Sequence, residues 1–210
     1  MTRDTRLSPS MGLRQRGASL VVVMLVLLLV TVIGIAGARL ALLSEMSARH
    51  DRDTQIAFEA AEAAVMDAEQ DIDNEGTSGC TSLRQWSNRT EAPPGTCGTS
   101  GSERGLCKPV DSPTAKPTWA SVNFLDNSSS APTVQHGTFT CRAFASGSGL
   151  KPERPARYLI EWDIDKTPGL STKGENGGPP TLYRITAMGF GPRIDTRAVI
   201  QVEYRPKKAN

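Results

Sequence analysis

The chain has 210 residues, which is enough for one membrane anchor and one modest globular domain. It carries 24 basic and 22 acidic residues, a formal net charge of +2. No basic patch with interleaved aromatic residues occurs, so we expect no nucleic-acid partner.

An uncharged apolar run dominates the N-terminal region. Its flanks are Arg16 and Arg39, and the stretch from Ala18 to Ala38 has about the length a helix needs to cross a hydrocarbon core of about 30 Å. Only a helix can pair all of its backbone N–H and C=O groups within a single membrane-spanning segment. Four arginines and one aspartate precede the run, and this excess predicts a cytoplasmic N-terminus and an extracytoplasmic C-terminal part. Without these five residues the formal net charge falls to −1.

A glycine, Gly17, stands where the basic leader meets the apolar run. An ordinary secretory signal has a shorter apolar region, of about 7–15 residues, and a small-residue cleavage site after it. This segment resembles the leader of type IV prepilins. The resemblance implies that prepilin peptidase cuts between Gly17 and Ala18 and methylates the new N-terminus. A plain single-span anchor is the alternative.

Three positions of the predicted assembly helix are Val22, Gly34 and Gly37. Most pilins carry glutamate at the fifth mature position, which is Val22 here. A carboxylate in hydrocarbon needs a partner, whereas valine needs none. The resemblance therefore implies a minor subunit rather than the bulk fibre subunit. Gly34 and Gly37 make the C-terminal part of the run less favourable as a helix, by roughly 1 kcal/mol each relative to alanine.

The helical pattern continues to about residue 73, with apolar residues at spacings of three and four on one face. These are Ala57, Ala61, Ala64, Val65, Ala68 and Ile72. Asn74, Gly76 and Gly79 then supply stop signals. We expect the C-terminal sheet to cover this face. A helical stalk or coiled coil is the alternative, although leucine heptads are lacking.

The alanine-rich block 57–69 and the closing segments 183–191 and 197–206 resemble PilX-type minor pilins. The resemblance covers about residues 14–73 and 157–206 and leaves 74–156 unmatched. It implies an α+β, pilin-like fold, in which a long N-terminal helix with a membrane-spanning first half packs on a C-terminal antiparallel sheet. The predicted regions are 1–17 (cleaved leader), 18–38 (membrane and assembly half of the helix), 39–73 (amphipathic half), 74–156 (loops), 157–206 (antiparallel sheet) and 207–210 (tail).

All four cysteines, Cys80, Cys97, Cys107 and Cys141, lie in the loop region. In an exported domain they predict two disulfides with three possible connectivities. Closing the shortest loops favours Cys80–Cys97 with Cys107–Cys141. A zinc site is the disfavoured alternative, because no C-x-x-C pair occurs. We predict no metal and no cofactor.

Strand patterns fill the C-terminal part. One strand, 157–164, buries Tyr158, Ile160, Trp162 and Ile164 and directs Glu161 to solvent. The other predicted strands are 138–144, 181–188 and 196–204, with 189–195 joining the last two. Such short connections predict antiparallel pairing.

No catalytic motif occurs, and neither His50 nor His136 has a nucleophile motif beside it, so we predict that the chain is not an enzyme.

The resemblance implies a minor pilin that takes part in initiating type IV pili, with other minor pilins at the pilus tip. It further implies partners: other minor pilins and the major pilin through the helix, prepilin peptidase, and a tip adhesin. The chain would lie in the inner membrane and then in the fibre at the cell surface. Alternatives are a minor pseudopilin of type II secretion and a membrane-anchored periplasmic domain unrelated to pili.

Overall fold

A computed structural model describes residues 18–84, 86, 95–110, 112, 114–164 and 181–206. The predicted leader 1–17, the connection 165–180 and the tail 207–210 lie outside these residues. The chain separates into two compact units, Met1–Arg49 and His50–Asn210. The elements in order are α1 (Ala18–Ile72), a 3-10 turn (Gly101–Glu103), β1 (Leu106–Cys107), α2 (Thr118–Ser121), β2 (Val134–Gln135), β3 (Arg157–Ile164), β4 (Thr181–Phe190) and β5 (Arg197–Tyr204).

The described part of the first unit, residues 18–49, is entirely helical and belongs to α1. Within the described residues, α1 is the one helix long and apolar enough to cross a membrane, with a mean hydropathy of 3.1 over 18 residues. The hydroxyl of Thr31 donates to the carbonyl of Leu28 at 2.8 Å, so this polar side chain is satisfied within the helix.

The sheet of the second unit is built on three long strands. β3 pairs with β4 and β4 pairs with β5, both antiparallel, with Ile185 opposite Ile160 on one side and Val202 on the other. Two strands of two residues each complete the sheet along the outer edge of β3: β1 runs parallel to it and β2 antiparallel. The sheet is therefore mixed rather than purely antiparallel, because the loop region contributes β1.

The alanine face of α1 packs on this sheet. Ala57, Ala61 and Ala64 are fully buried, and they share a core with Tyr158 and Ile185 of the central strands. Small side chains let the backbones approach closely. A Cβ added to Gly189 of β4 would lie 2.0 Å from the carbonyl oxygen of Ala57. The α+β, pilin-like fold is thus confirmed.

The opposite face of the sheet is also covered, which the strand pattern did not predict. Leu159 and Cys107 form a second core with Phe124 from the loop region. Glu161, expected in solvent, is only 3% exposed. The alternation in β3 was wrong on this point, because the loop region folds over the face that an isolated sheet would expose to water.

The predicted strand 138–144 was also wrong. Residues 136–140 form turns, in which the N–H of Thr138 donates to the carbonyl of Gln135 and that of Cys141 to Gly137. Gly137 and Cys141 have φ values of 79° and 57°, in the left-handed region that breaks a strand. Backbone turn geometry overrode the β propensity of the threonines and phenylalanine.

Candidate functional site: an exposed apolar helix and a cross-linked domain

From Leu20 to Met46, the apolar surface of α1 is exposed on all sides. Every large apolar side chain from Leu20 to Met46 is more than half exposed, including Val22 at 56%. Such a continuous apolar surface far exceeds what a monomer normally presents to water. It needs lipid or protein around it, and its composition suggests a membrane anchor.

Of the predicted site residues in this segment, Gly17 lies outside the described residues and Ala18 is the first residue of α1. Val22 lies on the exposed apolar surface. A Cβ added to Gly34 or Gly37 would meet nothing within 4 Å. The fold of this chain therefore does not require glycine at either position. Their effect is to leave a flatter helix surface for whatever packs there.

The two disulfides pair differently from the prediction. They join Cys80 to Cys141 and Cys97 to Cys107, so the predicted pairs Cys80–Cys97 and Cys107–Cys141 were wrong. Cys107 lies in β1, and an antiparallel bridge places Cys97 directly opposite it. Near the Cys80–Cys141 disulfide, the backbone N–H of Thr77 donates to the carbonyl of Thr140. Pairing of backbone segments in the folded domain selected the partners, and it joins Cys80 to Cys141 across 61 residues.

A buried ion pair joins α1 to the loop region. Arg84 Nε and Nη2 donate to the carboxylate of Asp71 at 2.8–3.0 Å, and both side chains are fully buried. Tyr158 Oη donates to the same carboxylate at 3.0 Å, and Arg84 Nη1 donates to the carbonyl of Arg104 at 2.9 Å. Burial raises the pKa of Asp71, while the positive charge of Arg84 acts in the opposite direction. The paired groups satisfy each other where no water reaches.

Two further buried groups hold the loop region in place. Asp67, one turn before Asp71, accepts from the N–H of Gly137 at 2.8 Å and from the hydroxyl of Thr140. Arg157 Nε donates to the hydroxyl of Thr133 at 2.7 Å, on the strand edge where β2 pairs. Polar side chains thus connect α1 and β3 to a segment that has little regular structure of its own.

These buried polar residues were not predicted from the sequence, although a signal for two of them, Asp67 and Asp71, was present. Asp67 lies three residues after Ala64, and Asp71 three residues after Ala68, on the face predicted to be buried. A carboxylate on a buried face requires a partner, which would have predicted a buried donor. Arg84 carried no corresponding signal, because it lies in an irregular segment.

Comparison with known families covers nearly the whole chain. The family model described as PilX N-terminal matches residues 16–65, and the model described as type IV pilus assembly protein PilX C-term matches residues 69–206. The chain belongs to the PilX family of type IV pilus assembly proteins. The second match includes 74–156, so the loop region that the resemblance left out is part of the family domain. No curated protein and no solved structure gave a match.

Membership in the PilX family gives the geometry its context. The family is structural rather than enzymatic, and it implies interaction with other components of the type IV pilus. The exposed apolar helix is the surface best suited to such interaction in the first unit, and the second unit is a domain cross-linked by two disulfides.

Proposed function

We propose that this PilX-family chain is a minor pilin that takes part in initiating and assembling type IV pili. The observation that carries the proposal is the apolar surface of α1, exposed on every side from Leu20 to Met46, in a chain matched by the pilus assembly family. A soluble binding domain has no use for a continuous exposed apolar surface of this kind.

The proposed mechanism is an exchange of neighbours. Before assembly, the apolar half of α1 lies in the inner membrane, with the second unit in the periplasm. During assembly, the same surface leaves lipid and packs against the helices of other minor pilins and the major pilin. Lipid tails and packed aliphatic side chains are similarly apolar, so the exchange requires little net change in hydrophobic burial.

The residue Val22 supports a minor rather than a bulk role. No ionisable side chain occurs between residues 18 and 38, so this helix offers no buried charge for a neighbouring subunit to neutralise. A position at the pilus tip, where a subunit has fewer neighbours, follows from this proposal. A tip adhesin is then a candidate partner.

Processing at Gly17 tests the proposal. We expect the mature protein to begin at a methylated Ala18, as measured by mass spectrometry, and to keep its leader in cells without prepilin peptidase. Gly17→Leu should block cleavage and remove the protein from sheared pili. Gly12→Leu is the matched control, because it changes a leader glycine away from the junction and should leave cleavage intact.

Three results would contradict this function. A mature N-terminus at Met1, or a cut beyond Ala38, would indicate an ordinary anchor or secretory signal. Normal piliation after deletion of residues 18–38 would exclude a role in assembly. Recovery of the processed chain with a type II secretion system, but never with sheared pili, would identify a minor pseudopilin.

A further inference from the structure

The outer edge of β5 has no neighbouring strand in the part of the chain that the structure describes. β5 lies last in the sheet, and β4 is its one partner among those residues. The strand is eight residues long, and its open edge presents a row of backbone N–H and C=O groups with which a further strand can pair. We call this surface the β5 edge.

The register between β4 and β5 shows which residues present these backbone groups. The N–H of Gly191 donates to the carbonyl of Thr196 at 2.8 Å, and this pair continues the β4–β5 register. In antiparallel strands, hydrogen-bonded pairs alternate with pairs whose N–H and C=O groups point away from each other. The even-numbered residues of β5 therefore bond to β4, and the odd-numbered residues direct their N–H and C=O groups to the open edge. These are Arg197, Val199, Gln201 and Glu203.

The side chains of these four edge residues are exposed as well. Exposed and half-buried residues alternate along the whole of β5, and the edge residues are the exposed ones. Their neighbours Ile200 and Val202 pack instead against the core that the sheet shares with α1. Val199, in the middle of the strand, is 47% exposed. A strand added at the β5 edge would thus meet both open backbone groups and exposed side chains.

The charges along the β5 edge are complementary to those of a second copy that runs in the opposite direction. When two copies pair about the midpoint of the strand, Arg197 of each lies opposite Glu203 of the other. Val199 then lies opposite Gln201 in the same way. Opposite charges on directly opposed residues favour pairing, and like charges disfavour it. An edge protected by charges of one sign would repel its own copy, whereas this edge attracts it.

Charge also selects this register over its neighbours. Just outside the strand, Asp195 lies opposite Arg205 in the central register, which adds a second pair of opposite charges. Only shifts by two residues keep the outward backbone groups aligned. One such shift sets Glu203 against Asp195, and the other sets Arg197 against Arg205. Each shifted register therefore brings like charges together.

Glu203 remains available for this contact although it already has a partner. It pairs with Arg184 of β4 at 3.4 Å, and its side chain is 58% exposed. A carboxylate has two oxygens with about four lone-pair sites, so it can accept from two arginines at once.

We propose that two copies of this chain pair antiparallel through their β5 edges and form one continuous sheet. A two-fold axis relates the copies, so each contact occurs twice. Within the second unit, α1 runs alongside β5, from Asp53 beside Gly191 to Asp73 beside Tyr204. The pairing therefore joins copies that meet in opposite directions. It needs only the second unit and a second copy, so it does not depend on the proposed function.

Charge reversal tests the interface. Sedimentation velocity of the full-length protein in detergent micelles, over a range of concentrations, should show a monomer–dimer equilibrium. Arg197→Glu and Glu203→Arg each set like charges against each other, and each alone should raise the dissociation constant at least about tenfold. An equimolar mixture of the two variants restores opposite charges at both contacts, and should return the constant to within about threefold of that of the parent protein.

The mixture separates edge pairing from loss of fold and from association of the apolar helices, since neither effect is repaired by mixing two variants. Arg142→Glu is the matched control, because it makes the same change of charge at an exposed arginine outside β5. It should leave the dissociation constant unchanged. A monomer at every concentration, an equal effect of Arg142→Glu, or no recovery on mixing would show that the β5 edge does not bind a second copy.

Oxidative cross-linking tests the register. Val199→Cys in one copy lies opposite Gln201→Cys in the other, within the Cα separation of about 7 Å that a disulfide can bridge. The mixture of these two variants should form a disulfide-linked dimer, and neither variant should do so alone. A linked dimer of Val199→Cys alone, or of Gln201→Cys alone, would indicate a shifted register and contradict the charge pairing.

Discussion

At the scale of single residues, Asp71 shows how this domain uses buried charge. It lies on a buried helix face made mainly of alanine, and its carboxylate accepts from both Arg84 and Tyr158. Taking both charges out of water is costly, and the cost is recovered only when the geometry satisfies each group. The pair therefore specifies where the segment after α1 must lie, because no other described arginine lies within ion-pair distance of this carboxylate.

Arg84→Met should strongly destabilise the second unit, since it leaves Asp71 buried without its cation. Breaking a buried pair costs about 3–5 kcal/mol, and we expect a loss in that range. Urea denaturation of the detergent-solubilised protein, followed by tryptophan fluorescence, measures it. Combining Arg84→Met with Asp71→Leu should recover part of the loss, because the unpaired charge is then gone.

The control for this prediction is Arg184→Met, which removes the more exposed ion pair with Glu203. Surface pairs contribute about 0–1 kcal/mol, so little change is expected. If both arginine variants lose the same stability, the buried pair does not anchor the loop region.

At the scale of elements, the contact between α1 and β4 depends on small residues on both sides. Ala57, Ala60 and Ala61 of the helix lie against Gly189 of the strand, with no room for a side chain on the strand. Backbone atoms form the other side of this contact, so a rotamer change cannot relieve a clash. Close packing of helix and sheet explains why the stripe is alanine rather than leucine.

Gly189→Ala should therefore destabilise the domain by about 1–3 kcal/mol or more, because its Cβ would overlap the helix backbone. The midpoint of chemical denaturation measures the loss. Gly34→Ala is the control, since its added Cβ meets nothing within 4 Å and changes helix propensity by only about 1 kcal/mol. Equal midpoints for the two variants would show that α1 does not pack this closely on β4.

At the scale of the whole second unit, the loop region is integrated into the fold rather than appended to it. It supplies β1 and β2, covers one face of the sheet and carries both disulfides. Cys80–Cys141 spans 61 residues and Cys97–Cys107 spans 10. A cross-link that closes a longer loop restricts the unfolded chain more strongly.

Replacing Cys80 and Cys141 by serine should accordingly cost more stability than replacing Cys97 and Cys107. Loop-closure entropy predicts losses of about 4 and about 3 kcal/mol, respectively. Denaturation of the two double variants measures the difference, and peptide mapping under non-reducing conditions checks the pairing. A peptide linking Cys80 to Cys97, or the opposite order of stabilities, would contradict the connectivity.

Local patterns in the sequence were sufficient for the main elements. The apolar run and the alanine stripe predicted α1, and alternation predicted β3, β4 and β5 to within a few residues. These features depend on neighbours along the chain, since helix and strand periodicities are local properties. The Gly17 junction, Val22 and the alanine-rich block also indicated the family, and the matches to the PilX models confirmed it.

Only the tertiary structure decided the features that depend on distant residues. The disulfide partners, the pairing of Arg84 with Asp71 and the burial of Glu161 each join segments separated by loops. Residues 138–144 had the composition of a strand, yet Gly137 and the contacts around Thr140 placed 138–140 in turns, and 141–144 form no strand. Local propensity is worth about 1 kcal/mol per residue or less, so buried hydrogen bonds, ion pairs and covalent cross-links overrule it.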